Sequence, residues 1–387
     1  MRILLVAPNP FFQERGTPIA VRMLCETLCE AGHSVDLLTY HVGTDVHVPG
    51  LTVCRIPRVP FISDVPIGFS LKKLVCDAVL SLKLLGRVAR NRYDVIHAVE
   101  EAIYPSLFAR LLTRATIIYD MDSSMADQLL EEWAFLGPAK KFLYGFERLA
   151  IRGSDGVVAV CDALAERVVA CDPDKRILVL HDVPLESGPG ARPAEDLRLA
   201  FGIRGLLMLY VGNLERYQGI DLLLDGFARA KPAEEMSLIV IGGERDDIET
   251  YRSRVEALGL GDSVHFLGPR PIEQLSGYLR QASVLASPRL TGNNTPMKVY
   301  SYLAAGKPIL ATRIASHTQV MDSSCAVLVD PTPEAVAAGI ERLASHETLR
   351  DELGVAAVNL VKAKYSVAVY KKKVVDEYLY LEHGALP

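Results

Sequence analysis

The stretch Gly292-Asn-Asn-Thr-Pro-Met-Lys-Val-Tyr-Ser-Tyr-Leu-Ala-Ala-Gly-Lys-Pro-Ile-Leu-Ala-Thr312 reads as a polar loop, a helix and a buried strand in immediate succession. Asn294 or Thr295 is placed to cap the helix, Pro296 suits its first turn, and Gly306 closes it before a strand over Ile309 to Thr312. Lys298 then falls in the first turn, where the helix dipole disfavours a cation by roughly 0.3–1 kcal/mol. A phosphate held between the lysine and the first-turn amides removes that conflict, so the stretch is read as an anion site. A lysine simply solvated at a helix start is the plain alternative.

Outward from this stretch the same grammar repeats. Ile3 to Ala7, Ser34 to Thr39, Val95 to Ala98, Thr116 to Tyr119 and Gly156 to Val160 read as buried strands, interleaved with helical periods such as Ala20 to Glu30 and Leu71 to Arg90. The pattern pauses at Glu186-Ser-Gly-Pro-Gly-Ala-Arg-Pro193, a linker by composition. It resumes with Leu206 to Val211, Ser237 to Ile241, Ser263 to Phe266, Ser283 to Ala286, Ile309 to Ala311 and Ala326 to Val329. Alternating strands and helices predict an α/β fold of two doubly wound, Rossmann-like domains with parallel sheets, facing each other across a cleft. The expected division is 1–190 and 191–365, with a last helix in 366–387 returning to the first domain.

A chain of 387 residues, 50% hydrophobic and 23% charged, has apolar material for two cores and is not disordered. A net charge of −5 argues against nucleic acid as a partner. Seven scattered cysteines with no Cys-x-x-Cys pair indicate neither a disulfide framework nor a structural zinc site, and fit a cytoplasmic setting. Cys25 and Cys29 read as core residues. The apolar start meets Pro8 within a few residues and is a strand, not a leader.

The order of these signals resembles the GT-B glycosyltransferases, and within them the retaining family 4. The resemblance rests on Gln13-Glu-Arg-Gly-Thr-Pro18 after the opening strand, Ala31-Gly-His-Ser-Val-Asp-Leu-Leu-Thr39, Tyr93-Asp-Val-Ile-His-Ala98, Tyr210-Val-Gly-Asn-Leu-Glu-Arg-Tyr-Gln-Gly-Ile-Asp221, Phe266-Leu-Gly268, Ala286-Ser-Pro288 and the opening stretch. It implies a nucleotide diphosphate sugar as donor substrate, no cofactor, and a glycan or lipid-linked acceptor. The departures are specific. Where such enzymes carry an Arg and a Lys that reach the donor diphosphate, this chain has Asn213 and Gln218; where they carry two Glu, it has Asn293 and Ser301. A first-domain His near the sugar is replaced by Asp122.

The positive charge that a departing diphosphate needs is therefore expected from Lys298 and Arg216, with Arg289 beside them. Gly16 and Thr17 in the first loop, Gly212, Asn213 and Gln218 after the Leu206 strand, and Asn293, Asn294, Thr295 and Ser301 in the opening stretch complete the expected donor site. Asp122 is the first choice for contact with the sugar or acceptor, with Asp120, Glu100, Glu101 and His97 as alternatives; His97 reads equally as a core histidine. No metal is expected. The region Pro57 to Arg92 combines Phe61, Ile62, Ile67 and Phe69 with Arg58, Lys72, Lys73, Lys83, Arg87, Arg90 and Arg92, and with Arg55 just before it. Such a face suits an anionic membrane surface and a peripheral location on the inner side of the cell membrane. A core helix is the alternative. Two rival functions stay open: a non-catalytic nucleotide-sugar-binding protein and a GT-B sugar-nucleotide epimerase.

Overall fold

A computed structural model of the protein describes residues 1–13, 16–66, 70–185 and 193–383. Most of the linker Glu186–Pro193, the loop residues Glu14 and Arg15, and Ile67 and Phe69 of the basic region lie outside the described residues. The chain divides into two compact units, Met1–His181 with Tyr370–Pro387, and Asp182–Val369. The division falls ahead of 190/191 because Leu185 already belongs to the second unit: its amide donates to Ser301 Oγ at 2.9 Å and its side chain packs on that unit's core.

In the first unit, short apolar runs make β1 (Arg2–Val6), β2 (Ser34–Thr39), β3 (Leu51–Arg55), β4 (Val95–Val99), β5 (Thr116–Met121), β6 (Gly156–Ala159) and β7 (Ile177–Val179). They form one parallel sheet in the order β3-β2-β1-β4-β5-β6-β7. Val6 pairs with Leu38 on one side and Ala98 on the other, so the order reverses at β1. Ile3 to Val6 of β1 and all of β4 are buried because helices cover both faces of the sheet.

The second unit repeats the plan with β8 (Leu206–Val211), β9 (Met236–Ile241), β10 (Val264–Gly268), β11 (Val284–Ser287), β12 (Ile309–Thr312) and β13 (Val327–Val329), parallel and ordered β10-β9-β8-β11-β12-β13. Its reversal lies between β8 and β11. Ligands of such sheets bind outside the carboxyl ends of the strands at the reversal, so the loops after β8 and β11 are where a site is sought.

The helix Val367–His383 carries Tyr370 onward into the first unit. Arg176 grips Glu377 with Nε and one terminal nitrogen at 2.7 Å each, with its guanidinium over the Tyr380 ring. Glu377 is buried, so its loss leaves a partly desolvated guanidinium unpaired. Glu377→Ala is expected to lower unfolding free energy by about 2 kcal/mol, read from urea titration, whereas a surface pair would cost under about 1.

The basic region Pro57–Arg92 is divided: Arg58, Lys72, Arg90 and Arg92 stand exposed, while its other cations are engaged within the fold. The helix Leu71–Arg90 buries Cys76, Leu80, Leu84 and Val88, and Ile62 joins the same core. Arg55 is spent on the carbonyls of Phe11, Val42 and Thr44 and on Asp45; Lys83 donates to the Arg55 carbonyl. Arg87 holds Asp36 at 2.8 Å and Tyr93 at 3.1 Å, and Lys73 pairs with Glu101. These cations fasten loops and strands. No helix among the described residues is long and apolar enough to cross a membrane.

Candidate active site

At the reversal of the second sheet, the chain leaves β8 through Gly212 and Asn213 into the single 3-10 turn Arg216–Gln218. Gly219 then allows a left-handed turn (φ 75°) with its α-carbon against the end of β11, where a Cβ would lie 2.0 Å from the Pro288 carbonyl oxygen. This close approach presses Gln218 against the loop that follows β11. Gln218 is buried.

Lys298 comes to the same point from the other side. Its Nζ donates to Gln218 Oε1 at 3.1 Å and lies 4.1 Å from the centroid of the Tyr210 ring. Burial pushes its pKa down from the usual 10.5 to about 7, and the Arg289 charge adds to the effect. The helix Met297–Ala304 starts at Pro296 with no side-chain cap. The cap expected from Asn294 or Thr295 is not formed: Gln319 Nε2 donates to Thr295 Oγ1 at 3.0 Å and to the Asn293 carbonyl at 2.9 Å, and the Asn294 carbonyl accepts from Arg289 at 3.3 Å. First-turn amides, a desolvated ammonium and an arginine thus share one place. An anion there would restore the lysine's charge and meet uncapped donors.

Arg289 is held by its own loop. Its Nε donates to the Thr291 carbonyl at 2.6 Å and its guanidinium lies over Tyr217 at 5.2 Å. Gly292 (φ 125°) makes room for it, since a Cβ would stand 2.3 Å from the guanidinium. Behind this loop His317 is fully buried: Nδ1 bonds the Thr312 carbonyl at 2.8 Å and Nε2 bonds Ser287 Oγ at 2.9 Å. Thr312 Oγ1 in turn donates to the Arg289 carbonyl. The Thr312 carbonyl can only accept, so Nδ1 carries the proton and Nε2 receives the serine hydroxyl.

Of the predicted donor residues, Gly212, Gln218, Arg289, Lys298, Asn294 and Thr295 gather here, with Asn293 contributing its carbonyl. Asn213 and Arg216 are exposed in the turn after β8; Asn213 gives its carbonyl to the Tyr210 hydroxyl at 2.7 Å, and Arg216 has no side-chain partner among the described residues. Ser301, expected at the ribose, is buried and its Oγ accepts the Leu185 amide, because it lies one turn beyond Lys298 on the side of the helix that faces the incoming chain. Tyr210 and His317 were not singled out by the sequence: one looks like any strand residue, the other lies in a four-residue helix without a pattern.

In the first unit Gly16 and Thr17 open the helix Gly16–Glu30 after β1, and Asp122 follows β5, partly exposed. Beside it Ser123 donates to Glu100 at 2.9 Å. Glu100 follows β4 directly in a left-handed conformation (φ 48°), and burial raises its carboxyl pKa. His97 takes the core reading: it is buried between the Tyr378 hydroxyl at 2.8 Å and Asp120 at 3.0 Å, which commits Asp120 to it as well. Glu101 is held by Lys73.

The family model described as the glycosyl transferase 4-like domain matches residues 15–208, half of the chain, and that described as glycosyl transferases group 1 matches 205–346. The chain belongs to the glycosyltransferase 4-like family. The D-inositol 3-phosphate glycosyltransferase of Corynebacterium diphtheriae is 30% identical over 201 residues, 49% of this chain and 47% of that protein. The chain thus spans about half the length of the first curated relatives it matches. The phosphatidyl-myo-inositol mannosyltransferase of Mycobacterium leprae is 23% identical over 98% of this chain and 96% of its own. Among solved structures, sucrose-phosphate synthase from Thermosynechococcus elongatus superposes with a TM-score of 0.81 at 20% identity, over 99% of this chain and 100% of the other. The Anabaena HepE protein in complex with UDP gives 0.76 at 16%, over 98% and 100%. The fold is that of the GT-B glycosyltransferases. Within this family-4-like chain, Lys298 meets Gln218, the position at which the resemblance places a lysine.

Proposed function

We propose that the protein transfers a hexose from a nucleotide diphosphate sugar to an envelope glycan or lipid-linked acceptor, with retention at the anomeric carbon and without a metal. The observation that carries this reading is the Lys298 ammonium on Gln218 Oε1 at an uncapped helix start, which supplies from another element the cation that position 218 lacks. Breaking the bond between the anomeric carbon and the diphosphate leaves its electron pair on a phosphate oxygen. Lys298, the first-turn amides and Arg216 would stabilise that charge. The acceptor oxygen bonds the anomeric carbon on the same face and its proton passes to the departing phosphate, so no protein nucleophile is required. Asp122 is the residue assigned to the sugar or the acceptor hydroxyl. UDP held by a structural neighbour makes UDP the first nucleotide to try.

The test is binding of UDP and GDP by calorimetry, with turnover of their sugars in the presence of acceptor. A charged hydrogen bond to phosphate is worth roughly 1.5–3 kcal/mol, so Lys298→Ala should weaken the nucleotide by about tenfold or more. Arg216→Ala should weaken it less, and leave stability within about 0.5 kcal/mol because its side chain is exposed. Unchanged affinity in both variants would remove the anion site. Binding without turnover would favour the non-catalytic reading, and interconversion of the donor sugar without acceptor would favour the epimerase.

A further inference from the structure

The helix Lys140–Gly153 exposes a stripe that neither core uses. Phe142 is 66% exposed, Phe146 42% and Leu149 56%, at positions i, i+4 and i+7 on one face. The two phenylalanine rings meet edge to face at 4.7 Å, and Phe146 meets Tyr104 the same way at 6.1 Å, so the stripe is a fixed ridge. It continues onto the end of the helix Ile103–Ala109: Leu107 packs against Gly153, Arg110 donates to the Gly153 carbonyl at 2.9 Å, and Phe108, Leu111 and Leu112 stand exposed beyond. Charge on the helix is one-sided. Lys140, Lys141, Arg148 and Arg152 are all exposed, while its single acid, Glu147, turns inward to Arg167 at 3.1 Å and Ser124 at 2.6 Å. Lys141 and Arg148, seven apart on the same face, have no side-chain partner among the described residues.

We propose that this ridge is the surface by which the protein docks on a bilayer containing anionic lipid. An apolar stripe of Phe and Leu flanked by unpaired cations matches an interfacial helix, whose rings enter the acyl boundary while the cations meet headgroup phosphates. With a net charge of −5 an anionic surface repels the molecule on average, so docking needs a local basic face. A second copy is the poorer occupant. An isologous contact through this patch would bring Lys141 and Arg148 towards their own counterparts. The inference does not rest on the donor reading, because the ridge and Lys298 lie in different units.

The chain carries its own reporter: its single tryptophan, Trp133, lies just before the helix with its ring stacked on exposed Phe135 at 6.1 Å. With vesicles of phosphatidylcholine containing about 30% phosphatidylglycerol, the protein should co-sediment, shift Trp133 emission to the blue, and release at about 0.5 M salt. Phosphatidylcholine alone should not bind it. Lys141→Gln with Arg148→Gln should weaken binding by about tenfold or more at roughly fivefold per cation, and Phe142→Ser with Phe146→Ser should abolish it. Lys72→Gln with Arg90→Gln, on the helix Leu71–Arg90, should change it little. Equal binding to neutral vesicles, no binding to either, loss with the Lys72 pair and not the Lys141 pair, or a dimer in solution that Phe146→Ser dissolves would each overturn the assignment. Nucleotide binding, measured on the same variants, reports that they fold; its absence in the unmodified protein would sink the donor reading and leave this one standing.

Discussion

Raising the pH from about 7.5 to 9 is expected to weaken UDP or GDP binding about twentyfold in the unmodified protein and hardly at all in Lys298→Arg. With a pKa of about 7, the free protein carries Lys298 as an ammonium roughly a quarter of the time at pH 7.5 and a hundredth at pH 9. A bound diphosphate faces the ammonium and raises its pKa, so binding takes up a proton, and affinity falls as that proton becomes scarce. The groups that face Lys298 are Gln218, Tyr210 and Arg289, with His317 adding to its field from behind. None of them titrates in this window: burial pushes Tyr210 well above 10 and His317 down to about 4. The diphosphate itself is fully ionised there, with a second phosphate ionisation near 6. An arginine stays charged throughout, so a parallel loss in Lys298→Arg would sink the proton-uptake account. The same burial makes the lysine costly in the free protein. Its folded pKa lies below the unfolded value, so folding is penalised below pH 10.5 and the penalty is relieved as pH rises from about 7 towards 10.5. Lys298→Met should therefore raise unfolding free energy at neutral pH by about 1–2 kcal/mol, discounted because the side chain keeps some solvent contact, while it weakens the nucleotide. Gain in stability with loss of binding separates a built anion site from a solvated lysine.

What the sequence discloses follows from how local the physics is. The central strands are legible because helices cover both faces and leave apolar runs, unbroken in β8 and interrupted in β2 only by Asp36; these strands and the helix Leu71–Arg90 fall where periodicity places them. The edges are not. β3, with the partly exposed Leu51-Thr-Val-Cys-Arg55, has no apolar run, and β7 is three residues long. At the site, Lys298 stands out because a cation in a first helical turn is a local conflict. Its partner does not, because Gln218 is 80 residues away and reaches it only through the close packing of Gly219 on Pro288. The basic region is legible only in part for the same reason. Charge in a sequence says nothing of whether a guanidinium faces water or, like Arg55, ties together carbonyls from other segments.

The second large effect expected is on stability in acid, and it belongs to His317. Its pKa is pushed down from 6.5 to about 4, first by burial and then by the charges of Lys298 and Arg289, against which its bond to the Thr312 carbonyl works in the opposite sense. The folded pKa lies below the unfolded one. As pH falls through 6.5 the unfolded chain takes up a proton that the folded chain refuses until about pH 4, so stability drops by about 1.4 kcal/mol per unit in that window and about 3 in total. Other groups titrate in the same range, so the quantity to measure is the difference from His317→Gln, whose amide can still donate to the Thr312 carbonyl and accept from Ser287 but binds no proton. Urea unfolding at about pH 6.5 and 5 should show the unmodified protein losing about 2 kcal/mol more than the variant across that interval. At pH 7 the variant should be the less stable by about 1–2 kcal/mol, because the longer, flexible amide fits a rigid buried slot less well. Parallel acid losses in the two proteins would mean that His317 is not a buried neutral base. The effect also reaches the anion site, since the chain Ser287, His317, Thr312 ends on the carbonyl of Arg289. A protonated His317 would add a third positive charge behind Lys298 and Arg289. Keeping it neutral lets those two cations stay close enough together to share one diphosphate.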